Sequence, residues 1–253
     1  MSFNKVTRSA CALLLGAALS TAWADAVTDK VEAAINDFIG QPAVESVSKT
    51  QYGGLYEVVL KNHQILYTDE NLSFLMDGRL IDAKSRTDVT AERMNKLLAV
   101  DFSTLPLENA FKIVRGDGSR VIATFEDPNC GYCKRLAKDL AEMDNITIYT
   151  FLYPVLGSDS VVKSRNIWCA KDQVATWNNW MLKAEQPATA ECEQTTTIDK
   201  NIALGQSMRI TGTPTLFLQD GTRIGGYLPK DQLEVAIADA TVKAKEDTAQ
   251  AAK

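Results

Sequence analysis

Two cysteines separated by two residues, Cys130-Gly131-Tyr132-Cys133, follow directly on the apolar run 121–125. Behind them Leu136, Ala137, Leu140 and Met143 recur at helical spacing, with Lys134, Arg135, Lys138, Asp139 and Glu142 on the opposite face. Paired thiols at a strand-to-helix junction are the minimal apparatus for thiol–disulfide exchange. The free N–H groups and partial positive charge of a helix N-terminus favour the thiolate of the first cysteine. Lys134 and Arg135 are expected to add to that effect. The second cysteine falls one turn later, within reach to close a disulfide or expel a bound partner. A bare CxxC also begins zinc knuckles and haem sites; the strand before it and the helix after it carry the redox reading. Glu126 and Asp127, the nearest carboxylates, are expected to face solvent or cap the helix rather than to move protons.

The other cysteines sharpen this picture. Of five, Cys11 lies in an apolar stretch, 10–19, that follows Lys5 and Arg8 and precedes the small-x-small pattern Ala22-Trp23-Ala24. That pattern reads as a cleaved secretory signal peptide over 1–24, too short for a spanning helix, and no membrane anchor is expected. Losing Lys5 and Arg8 makes the net charge two units more negative than the −5 of the whole chain, which offers nothing to nucleic acid. Cys130, Cys133, Cys169 and Cys192 remain, an even number for an oxidising compartment, with three possible connectivities. Pairing Cys130 with Cys133 and Cys169 with Cys192 is the economical choice. A four-cysteine zinc site is the alternative, and it fits poorly because Cys169 and Cys192 stand far apart. The single histidine, His63, sits between two apparent strands as a turn residue and leaves little for mixed Cys/His metal sites or hydrolase chemistry. No metal and no cofactor are expected.

The elements that must position the thiols divide in two. A short amphipathic helix is expected over 25–40. Short runs at 56–60, 65–68, 73–76 and 79–81 follow, separated by Gly53-Gly54, Asn62-His63, Asp69-Glu70-Asn71 and Asp77-Gly78. This β-unit, 25–85, has no cysteine and little core of its own, so self-association is a physical expectation. Residues 86–104 form a linker helix and connector. The second domain, 105–253, runs strand, strand, CxxC helix, strand 146–152, a mostly helical insertion over about 158–208, then a hairpin and a helix from Pro229 to about Ala244. That order is α/β and thioredoxin-like. The tail from Lys245 is expected to fray. Gly212-Thr213-Pro214 precedes an apolar run, where a proline suits the first position of a strand.

Phe125-Glu126-Asp127, Cys130-Gly131-Tyr132-Cys133, Ile167-Trp168-Cys169-Ala170-Lys171-Asp172 and Gly212-Thr213-Pro214 together resemble the DsbC/DsbG family of thiol:disulfide interchange proteins. Gly131, where DsbG-like members carry proline, favours the DsbC branch. The resemblance spans the chain beyond its leader. It implies a thioredoxin-like catalytic domain with a helical insertion and a cystatin-like α+β dimerisation domain, assembled as a V-shaped homodimer. It implies that Cys130 attacks substrate and Cys133 resolves, that Gly131 and Tyr132 complete the motif, that Thr213 and a cis Pro214 face the sulfurs, and that Cys169–Cys192 is structural. Lys134, in place of a frequent histidine, and Pro128-Asn129 depart from the pattern.

A periplasmic disulfide isomerase with accessory chaperone activity is the function implied. Its clients would be misfolded disulfide-containing exported proteins, and a membrane thiol reductase of the DsbD type would supply its electrons. A DsbG-like reductase and chaperone guarding single cysteines, a DsbA-like oxidase and a non-catalytic holdase are the competing readings.

Overall fold

The computed structural model describes residues 16–193 and 196–251, and divides them into two units at Thr90/Ala91. The expected leader falls mostly outside the described residues, and α1 spans Gly16–Ile39 as one helix rather than beginning at residue 25. No helix among the described residues is long and apolar enough to cross a membrane.

In the first unit, Val31 and Ile35 of α1 pack on an antiparallel sheet ordered β1 (Val44–Lys49), β2 (Tyr56–Leu60), β3 (Ile65–Thr68). β1 was not among the expected strands. Its sequence, Val-Glu-Ser-Val-Ser-Lys, buries only Val44 fully, so its place is set by the ladder to β2 rather than by an apolar run. The runs at 73–76 and 79–81 contribute only the isolated bridges Tyr67↔Met76 and Ile81↔Asp88. His63 lies in the β2–β3 turn at φ 62°, 3.7 Å from the Glu45 carboxylate. The buried core is small: Val31, Ile35, Val44, Tyr56, Val58, Leu60 and Leu66 form one cluster, and Val59, Ile65 and Tyr67 are buried besides.

A helix α2, Val89–Leu97, crosses the division between the units. The second unit is built on a five-stranded sheet from β4 (Phe111–Arg115), β5 (Arg120–Glu126), β6 (Ile146–Leu152), β7 (Thr215–Leu218) and β8 (Arg223–Gly225). The order β4-β6-β5-β7-β8 puts β5 at the centre, parallel to β6 and antiparallel to β7. Around the sheet lie α3 (Gly131–Ala141), α4 (Ser158–Trp168), α5 (Gln173–Lys183), α6 (Thr196–Ser207) and α7 (Lys230–Ala251). Residues of β5 alternate between faces, as strand geometry requires. Ile122 joins Leu136 and Leu140 of α3 and Leu233 and Ile237 of α7. Ala123 and Phe125 point the other way, where Phe125 stacks on Phe151 with ring centroids 4.6 Å apart. The β7–β8 turn needs Gly221: φ is +86°, and a Cβ there would lie 2.1 Å from the Val100 carbonyl oxygen.

The chain's end differs from expectation. α7 continues to Ala251 instead of stopping near Ala244, because 245–251 contains only residues compatible with helix and neither proline nor glycine.

Candidate active site

The central strand delivers the thiols. β5 ends at Glu126, a three-residue loop turns the chain, and Cys130 occupies the cap position of α3 with extended backbone (φ −72°, ψ 121°). Its side chain makes no capping bond, so the sulfur is left for other partners. Cys130 and Cys133 are free thiols. Cys130 is 7% exposed and Cys133 fully buried, both packed with Phe111, Leu152, Ile167, Trp177 and Trp180. Tyr132 between them is 56% exposed. A Cβ at Gly131 would meet nothing within 4 Å, so the site is open above the motif. From the far side comes the loop before β7: the Thr213–Pro214 bond is cis, and the Cys130 thiol donates to the Thr213 carbonyl at 3.2 Å.

The loop itself is held by two devices. Asp127 is fully buried, and its carboxylate accepts from the backbone N–H groups of Asn129 (2.8 Å), Val155 (2.8 Å) and Leu156 (2.9 Å) and from the Ser160 hydroxyl (2.8 Å). One side chain thereby joins the active-site loop to the β6–α4 connection. From α5, the Trp180 indole N–H donates to the Pro128 carbonyl at 2.6 Å. Asn129 reaches Asp159 and Ser160 at 2.7 and 3.0 Å. Loop position is therefore set by buried polar bonds, whose loss is expensive.

Cys130 is held as a thiolate near neutrality: its pKa is lowered to about 5. The Cys133 thiol donating to it contributes most, against the burial that opposes ionisation. The Thr213 side chain and the backbone N–H groups of Cys133 and Tyr132 supply the rest. The Thr213 carbonyl favours the protonated form instead, and four opposing donors outweigh it. Cys133 is pushed strongly upward, first by burial and then by its bond to Cys130. Two sulfurs on one turn of helix thus have opposite characters: one ionised, the other fully buried and kept protonated.

Two expectations about charge need correction. Lys134 lies 4.1 Å from the Trp180 ring centroid, and Arg135 lies 5.3 Å from that of Tyr132, so both cations are engaged on aromatic faces. Hydrogen bonds, not these side chains, depress the Cys130 pKa. Glu126 and Asp127 do not face solvent either; they are 1% and 0% exposed. The polar pair follows an apolar run and reads as a strand end, but alternation through Ile122, Thr124 and Glu126 was the signal that Glu126 continues an inward face. Nothing comparable marked Trp180, whose role depends on contact across the fold.

Cys169 and Cys192 are joined by a disulfide at the end of α4, remote from the free pair in sequence and linked across a separation of 23 residues. No cluster of His, Cys, Asp or Glu among the described residues forms a metal site.

Comparison with known proteins identifies the family. Residues 107–241 match the thioredoxin-like domain family, and residues 22–91 match the family described as the disulfide bond isomerase protein N-terminal domain. A Bordetella pertussis chain named as a probable thiol:disulfide interchange protein DsbC is 49% identical over 214 residues, covering 85% of this chain and 74% of that one. The thiol:disulfide interchange protein DsbC of Escherichia coli K12 is 27% identical over 211 residues, covering 80% and 86%. Among solved structures, a disulfide interchange protein from Neisseria gonorrhoeae superposes with a TM-score of 0.52 at 34% identity, covering 54% of this chain and 99% of that one. Similarity of that strength across both units, one of them carrying the paired free thiols, places the chain in the DsbC family of thiol:disulfide interchange proteins.

Proposed function

We propose that this chain is a periplasmic disulfide isomerase in which Cys130 is the nucleophile and Cys133 the resolving thiol. The contrast between Cys130, held as thiolate, and a fully buried, protonated Cys133 is the observation that carries this reading. Cys130 thiolate attacks one sulfur of a wrong disulfide in an exported client. The client S–S bond breaks, its electron pair leaves on the second client sulfur, and a mixed disulfide remains on Cys130. A different client thiolate then attacks the client sulfur of that bond, forming a new client disulfide and returning Cys130 as thiolate. No net oxidation occurs. When no client thiolate arrives, Cys133 attacks Cys130 and the client leaves reduced by two electrons; a membrane dithiol reductase of the DsbD type then reopens the Cys130–Cys133 bond. Thr213 holds the thiolate between turnovers, and Tyr132, exposed beside the sulfur, meets the client first.

Residues 25–85 serve as the dimerisation domain. Its small core, its edge strand β1 and its exposed Phe38 (70%) and Phe74 (43%) support pairing with a second copy. A leader over 1–24 directs export and is cleaved there.

Refolding of scrambled multi-disulfide substrate tests the proposal. The protein should accelerate recovery of native pairing, Cys130→Ser should abolish it, and deletion of 25–85 should give a monomer that still reduces small disulfides but isomerises poorly. A Cys130→Ser variant that isomerises as well as its parent would refute the assignment.

A further inference from the structure

We infer that Trp180 is a positioning residue for thiol exchange: with Asp127 it clamps the Pro128–Asn129 peptide plane, and so holds Cys130 where the first N–H groups of α3 meet its sulfur. The inference rests on the assignment of Cys130 as the attacking thiol.

One peptide unit carries the clamp. Its carbonyl, that of Pro128, accepts from the Trp180 indole N–H at 2.6 Å. Its N–H, that of Asn129, donates to the Asp127 carboxylate at 2.8 Å. The C=O and N–H of a trans peptide point in opposite directions, so partners at both ends stop the plane from rotating. Both partners are buried: Trp180 is 7% exposed and Asp127 0%. Pro128 is buried too, and its ring fixes its own φ. Asn129 is tied a second time, its side-chain amide donating to Asp159 and Ser160 of α4. Cys130 follows, and its N–H donates to the Asp127 carbonyl at 3.1 Å.

Trp180 is itself held in place. Lys134 of α3 and Lys163 of α4 set their ammonium groups 4.1 and 4.8 Å from its ring centroid, and Lys163 is ion-paired with Asp159. The indole thus ties α5 to α3 and α4 while its N–H reaches the loop. Pro128 and Lys134, both departures from the family pattern, meet on this one side chain.

The consequence is chemical. Cys130 caps α3, and the N–H groups of Tyr132 and Cys133 in the first turn favour its thiolate. That placement needs the extended backbone of Cys130 (φ −72°, ψ 121°), which the preceding peptide must present. Freed at its carbonyl, the Pro128–Asn129 plane turns and the sulfur drifts from those N–H groups. The reduced form then loses stabilisation that the Cys130–Cys133 disulfide never had, so the pair becomes more reducing. The charged and titrating neighbours of the sulfur are unaltered by removing the indole N–H. They are Glu126 of β5, Cys133, Lys134 and Arg135 of α3, and the Asp159–Lys163 pair of α4.

Trp180→Phe in the intact protein removes the donor and keeps an aromatic face for Lys134 and Lys163. Equilibration with glutathione buffers, followed by quantification of the Cys130–Cys133 disulfide, reads the redox balance. The Cys130 alkylation midpoint should rise by about one unit, the scale of one weakened hydrogen bond to a charged group. From a starting value of about 5, that rise moves the glutathione equilibrium about ninefold toward the disulfide at pH 7. At pH 4, where Cys130 is protonated in both proteins, the two equilibria should coincide. Ile237→Ala, which empties part of the core between the sheet and α7, is the control for lost stability and should leave midpoint and equilibrium at wild type. An unchanged equilibrium in Trp180→Phe, a shift that persists at pH 4, or an equal shift in Ile237→Ala would overturn the inference. Wild type gives a check that needs no variant: a bond that favours the thiolate is strengthened by it, so the Trp180 indole N–H resonance should titrate with the Cys130 midpoint. A resonance flat through that midpoint would overturn the inference as well. Failure of wild type to form any Cys130–Cys133 disulfide would instead overturn the assignment of Cys130.

Discussion

Replacing Thr213 by valine removes one hydroxyl from the partners of the Cys130 thiolate and leaves side-chain shape nearly unchanged. The thiolate draws on the Cys133 thiol, the Thr213 side chain and the N–H groups of Cys133 and Tyr132, and together these bring its pKa from 9.0 to about 5. One hydrogen bond to a charged group contributes about 1.5–3 kcal/mol, which at 1.36 kcal/mol per unit is a rise of about 1–2 pKa units. The midpoint of the alkylation-rate profile should therefore move from about 5 to between about 6 and 7. For a midpoint of about 6.5, the rate at pH 5.5 falls about eightfold, and at pH 8 both proteins are fully ionised and react alike. Iodoacetamide labelling of the reduced protein across pH 4–9, quantified at the Cys130 peptide, measures this. Lys134→Met is the informative control: its ammonium rests on the Trp180 ring, so the midpoint should move by less than about half a unit. A Thr213→Val midpoint that stays with wild type, or a larger shift in Lys134→Met, would refute the account of how the thiolate is held.

Three further outcomes are expected. Asp127→Ala strands three backbone N–H groups and the Ser160 hydroxyl, so the urea midpoint should fall by an amount equivalent to about 3 kcal/mol or more, with disordered labelling of Cys130. Converting both Cys169 and Cys192 to alanine opens a 23-residue link and should cost about 3 kcal/mol on the chain-entropy account, while Cys130 labelling keeps its pH profile. Glu126→Gln should be more stable than wild type at high pH. Its folded pKa, about 8, lies above the ordinary glutamate value of 4.5, so between these values the folded state binds the extra proton and wild-type stability falls as pH rises. The gap between the proteins should be absent below about pH 4.5 and grow up to about pH 8; a pH-independent difference would argue against a buried neutral carboxyl.

The strand–CxxC–helix junction was legible because two periodicities meet there: an apolar run at 121–125 gives way to helical spacing from Leu136 onward. Local patterns of that kind also located β2, β3 and β6. β1 was missed because five of its six residues leave their side chains at least partly in water, and only pairing with β2 makes it a strand. The same blindness to tertiary context governs the site. Nothing in the helical insertion marks Trp180, yet its indole reaches 52 positions back to Pro128. Asp127 was expected to face solvent or cap the helix, and only the fold brings Val155, Leu156 and Ser160 to it. Lys134 and Arg135 stand beside Cys133 in sequence, but their cations settle on rings that spacing alone did not place.

Trapping the mixed disulfide tests the central claim most directly. With Cys133→Ala the resolving thiol is gone, so the covalent intermediate on the nucleophile should accumulate when reduced protein meets a scrambled disulfide substrate. Peptide mapping by mass spectrometry should then find client peptides bonded to Cys130 and none bonded to Cys169 or Cys192. Client peptides on either of the latter, or no covalent complex at all, would contradict the account.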